Sequence, residues 1–80
     1  MSSTTLADLP SGSKARVIRV EAGKGLLERL YQMGLIPNEV VEVMINNVGR
    51  LVVKVRGTEI ALGRGIARKI FVETIEEKGS

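Results

Sequence analysis

Between Leu26 and Asn38 the chain reads Leu-Leu-Glu-Arg-Leu-Tyr-Gln-Met-Gly-Leu-Ile-Pro-Asn, which spells one short helix, its stop signal and the next turn in order. Leu26, Leu27, Leu30 and Met33 recur at helical spacing while Glu28, Arg29 and Gln32 occupy the other side, so one face is expected to be buried and one solvated. Gly34 supplies the left-handed residue that ends a helix. Pro37 suits the second position of a turn and Asn38 tolerates positive φ at the third. Nothing else in the chain has a long helical period, so a small sheet protein carrying a single helix is expected.

The strands follow from alternation and turn residues. Lys14 to Val20 is expected to be the first, with Ala15 and Val17 on one side and Arg16, Ile18 and Val20 on the other. Val40 to Asn46 is β-branched and alternating, with Val41, Val43 and Ile45 on one face. Asn47-Val48-Gly49 reads as a hairpin turn and Leu51, Val53 and Val55 as the inward side of the returning strand. Gly57-Thr58 turns the chain into Glu59 to Leu62, Ile66 to Arg68 makes a short helical turn, and Lys69 to Thr74 closes the sheet. About five short strands, mostly joined by tight turns, imply an antiparallel sheet that hides its edges by curling into a barrel, with the helix between strands one and two. The expected core is Ala15, Val17, Leu27, Leu30, Val41, Val43, Leu51, Val53, Ile60, Leu62, Ile66 and Ile70, with Val72 nearby. Leu6 and Leu9 are expected to tuck into the edge of the domain. Residues 1 to about 5 are expected to be frayed, and Ile75 to Ser80 to form a solvated tail.

Eighty residues make one domain, with its core spanning about residues 6–74. A chain of that size buries only about 60% of its unfolded surface, which favours a binding module over a deep catalytic cleft. Zero cysteines exclude disulfides and thiolate metal sites, and zero histidines remove the commonest metal ligand and acid/base side chain. Glu73, Glu76 and Glu77 are the only dense carboxylates, so neither an intrinsic metal site nor any other cofactor is expected. No nucleophile stands beside a base, and catalysis is not expected. The first ten residues lack the pattern of a secretory signal and no stretch approaches the roughly 20 apolar residues of a membrane span, so the protein is expected in the cytoplasm.

Landmarks distributed from Leu6 to Val72 resemble the FeoA family of small SH3-like barrels. They are Leu9-Pro10-Ser11-Gly12, the block Arg29 to Pro37, Ile60-Ala61-Leu62, Ala67 and Ile70-Phe71-Val72. The helix block is the specific part. The family commonly has Gly after the turn proline where this chain has Asn38, the next best residue for positive φ. The resemblance implies a cytoplasmic accessory of ferrous iron transport that acts on FeoB, a membrane transporter with a cytosolic G-protein domain, and reaches the membrane only through that partner. A related module forms the C-terminal domain of iron-dependent repressors, whose winged-helix and dimerisation regions are not found in this sequence.

Two surfaces are candidates for docking. Leu26, Tyr31 and Leu35 lie off the centre of the helical stripe and, with Arg29, are expected to form a modest exposed patch, although such residues serve most simply as packing. Arg64, Arg68 and Lys69 form a basic cluster that suits an acidic partner or phosphates, or is simply a solvated rim. Gly63-Arg64-Gly65 and Gly23-Lys24-Gly25 lack the spacing of nucleotide-binding loops and read as hinges. Nucleic-acid binding is the competing reading, but two aromatics and a net charge of +3 are too few for a base-stacking, phosphate-neutralising face. A weak homodimer, through an edge strand such as Val40 to Asn46 or through the helix patch, is a third possibility.

Overall fold

The computed structural model describes residues 4–75. Six strands form one antiparallel sheet: β1 (Thr4–Thr5), β2 (Lys14–Val20), β3 (Val40–Asn47), β4 (Arg50–Val55), β5 (Thr58–Ala61) and β6 (Ile70–Thr74), in the order β1-β6-β2-β3-β4-β5. Helix α1 (Lys24–Gln32) joins β2 to β3 and the one-turn helix α2 (Arg64–Ala67) joins β5 to β6. β2 to β5 follow one another as a meander, and β6 then returns to lie beside β2. Thr4 and Thr5, expected to be frayed, instead pair with Val72 and Phe71 and form an added edge strand. Among the described residues the outer strands β1 and β5 do not pair with each other. The 3₁₀ turn Leu6–Asp8 packs against α2, and Leu6 and Ala67, both fully buried, join one core.

That turn explains why Leu6 and Leu9 are interior and not marginal, at 0% and 4% exposure. The Asp8 carboxylate accepts from the hydroxyls of Thr4 and Thr5 and from the Thr5 amide. Asn46 then fastens the segment to β3: its Nδ2 donates to the carbonyls of Leu9 (2.5 Å) and Ala7 (3.2 Å), and its amide donates to Ser11 Oγ.

Asn46 reaches inward because β3 carries a bulge. Val43 pairs with Val53 but Ile45 pairs with Val52, leaving Met44 as the extra residue. One added residue exchanges the two faces of a strand. Asn46, opposite buried Leu51, therefore takes the inward position that plain alternation would give to Ile45. A second bulge, at Ile18 in β2, places Arg19 across from Phe71 with its guanidinium 4.3 Å from the ring centroid.

Helix α1 ends in a Schellman motif at the glycine expected to stop it. The Gly34 amide (φ +99°) donates to Tyr31 O and the Leu35 amide to Leu30 O, both at 3.0 Å. This closure turns Leu35 back beneath the helix, where Leu30 and Leu35 are both fully buried. Met33, expected on the buried stripe, is left 38% exposed, and Leu27 is half-buried. Ile36 to Glu39 then form the expected turn, with Asn38 at φ +77° and the Glu39 amide donating to Ile36 O. Two further backbone bonds, Asn38 N to Val17 O and Val17 N to Glu39 O, pin this turn to β2.

The remaining corrections to the core are local. Ile60 and Ile66 pack at its margin, whereas Val55 and Ala67 are fully inside. The β4–β5 turn is centred one residue earlier than Gly57-Thr58: Arg56 and Gly57 both take positive φ, as a two-residue hairpin turn requires.

Candidate docking surfaces

On α1, Arg29 is exposed, Tyr31 is 40% exposed, and Leu26 is half-buried against the core. Leu35 does not belong to this surface, because the Schellman closure directs it inward. Met33 takes its place, and with Tyr31 it leaves two large apolar side chains in solvent around the helix C-terminus.

The basic cluster divides. Arg68 and Lys69 are exposed in the turn after α2, and the Lys69 carbonyl accepts the Glu21 amide at 2.8 Å, tying that turn to the loop entering α1. Arg64 is half-buried and its Nη2 donates to the Asn47 carbonyl in the β3–β4 turn. Elsewhere Arg16 pairs with Glu73, Arg19 with Glu21 and Arg56 with Glu39, all across exposed surface. Among the described residues Arg29, Arg50, Arg68 and Lys69 form no ion pair.

A cleft of about 230 Å³ opens between the β3–β4 turn and the segment from β5 to α2. Its floor is Leu51, Val52, Ala61 and Leu62, and its rim carries Arg50, Arg64 and Val48, the last 98% exposed. Sequence reasoning passed over this place, although an apolar residue set between Asn47 and Gly49 in a turn was a signal for it. The proposed dimer seam along Val40 to Asn46 is not available as an edge. β2 pairs with Val40 to Glu42, and the Gly12–Ser13 backbone bonds Val43 from the same side.

Among the described residues no three His, Cys, Asp or Glu side chains gather where a metal could be held, and no buried side-chain polar atom lacks a partner. Glu76 and Glu77 lie outside the described residues. No helix among the described residues is long and apolar enough to cross a membrane.

The chain is 36% identical over 74 residues to a protein of Methanocaldococcus jannaschii named provisionally as an Fe(2+) transport protein A, covering 92% of this chain and 90% of that one. The crystal structure of an iron uptake regulatory protein, FeoA, superposes with a TM-score of 0.86 at 25% identity, over 92% of this chain and all of that one. The zinc complex of Stenotrophomonas maltophilia FeoA, described as a procaryotic SH3 domain protein and a candidate ferrous iron transport activating factor, superposes with a TM-score of 0.78 at 29% identity, over 88% of this chain and 89% of that one. The expected SH3-like, mainly β architecture is thus the one found. The family model described as the FeoA domain matches residues 4–74, and the chain belongs to that family.

Proposed function

We propose that this protein is a non-enzymatic, cytoplasmic accessory of ferrous iron transport that docks onto the cytosolic region of a FeoB-type membrane transporter. The observation that carries the reading is a FeoA domain spanning residues 4–74 whose α1 holds Tyr31 in solvent beside unpaired Arg29. Tyr and Arg are the side chains that most often anchor protein interfaces. Leu26 contributes its exposed flank, and Arg68 and Lys69 offer charge to an acidic partner. Docking regulates the transporter only by favouring one of its conformations, because equal affinity for both shifts nothing.

The test is an amide NMR titration of the labelled chain with the cytosolic region of the transporter from the same source, repeated with a mixed oligonucleotide. Shifts on α1 and around Arg68–Lys69 with the transporter alone are expected. Salt-sensitive shifts with the oligonucleotide alone would replace this reading with a nucleic-acid barrel.

A further inference from the structure

The geometry points to β5 and the adjoining cleft as a receptor for an extended, acidic segment of a partner protein, which adds to the sheet as a further strand. β5 pairs with β4 alone, so one of its sides is open. The two-residue turn at Arg56-Gly57 makes Val55 and Thr58 a hydrogen-bonded pair, and the Leu62 amide bonds Leu51 O at 2.9 Å. Hydrogen-bonded and non-bonded pairs alternate along an antiparallel ladder. Glu59 and Ala61 therefore aim their N–H and C=O groups away from β4, and among the described residues nothing bonds them. These are the groups that capture an extended peptide by strand addition.

The edge leads directly into the cleft, whose floor of Leu51, Val52, Ala61 and Leu62 accepts an apolar side chain. Arg50 and Arg64 are the only charged residues lining it, and Glu59, just outside, faces Lys54 across the ladder. Arg50 has no ion pair. Open backbone, an apolar slot and uncompensated positive charge together select a strand that alternates apolar and carboxylate side chains. A neutral or basic strand would leave both guanidinium groups without a counter-charge.

The inference rests on the docking reading only for who the partner is. Its probe is the peptide acetyl-Glu-Val-Glu-Ile-Glu-Val-amide, titrated into the labelled chain beside the same peptide with Lys for Glu. Expected are shifts confined to Gly49–Leu51 and Glu59–Arg64 with the acidic peptide and none with the basic one. Arg50→Glu, at the exposed first position of β4, weakens binding about fivefold. Ala61→Pro removes a donor that β4 does not use and abolishes binding; Arg50→Glu keeps the test decisive should that variant not fold. Equal response to both peptides, shifts centred on α1, no response at millimolar peptide, or concentration-dependent shifts of the chain alone would each overturn it. Transporter binding that leaves β5 and the cleft unshifted removes this surface and keeps the docking reading. Peptide binding without transporter binding does the reverse.

Discussion

A Cβ placed on Gly34 would stand 2.9 Å from Cγ1 of Val55, closer than carbon atoms approach without displacement. The same residue holds φ at +99° in the closure that ends α1. Gly34→Ala therefore meets a backbone penalty of about 1 kcal/mol and an overpacking penalty of about 1–3 kcal/mol. The expected loss is about 2–4 kcal/mol in urea denaturation followed by circular dichroism, and a loss below 1 kcal/mol would mean that Val55 yields freely.

Asn38 is held at φ +77° by a turn pinned twice to Val17. Asn38→Gly should stay within about 0.5 kcal/mol of the parent, whereas Asn38→Val, β-branched in a left-handed position, should cost about 1–2 kcal/mol. Thermal midpoints of the two variants measured side by side give the comparison, and equal midpoints would refute it.

Asn46 donates to two carbonyls of the segment that carries Leu6 and Leu9 into the core. Asn46→Ala leaves both acceptors without that donor and is expected to cost about 1–3 kcal/mol. Hydrogen exchange should show the loss at the amides around Leu9 before it appears in β4, which packs in the same core but among the described residues has no hydrogen bond to that segment.

Leu35 and Tyr31 provide a contrast between folding and docking. Leu35→Ala empties a fully buried site and should destabilise by about 2–5 kcal/mol. Tyr31→Ala, at a position 40% exposed, should change stability by less than about 1 kcal/mol while weakening binding to the transporter's cytosolic region at least fivefold, read by calorimetry. A Tyr31 variant that binds normally would remove α1 from the docking surface.

Much of this fold is legible because its punctuation is local. Gly34, Pro37 and Asn38 each specify a backbone state within one turn, and each adopts it. The pattern fails where a distant partner decides the outcome. Nothing near Met44 announces a bulge, since the added residue is defined only against Val52 and Val53 on the next strand; Ile45 and Asn46 consequently exchange faces. Leu35 lies off the buried stripe only if the helical wheel is extended past Gly34, where the chain no longer follows it. Thr4 and Thr5 have no apolar pattern and become a strand only because β6 offers an edge. The candidate surfaces were half visible: composition identifies Arg29, Tyr31, Arg68 and Lys69, but the cleft joins residues 48–52 to 61–64, which only the sheet brings together.

The pairing of β6 with β2 also sets the timing of assembly. Val17 lies opposite Val72, and Ile70 and Val72 are fully buried, so the interior stays open until synthesis has passed β6. Long-range pairing of this kind places folding in the millisecond-to-second range, slower than for helical domains of similar length. A nascent chain still lacking β6 exposes the flank of β2 where β6 belongs, and for that interval its vulnerability to strand-mediated aggregation is greatest.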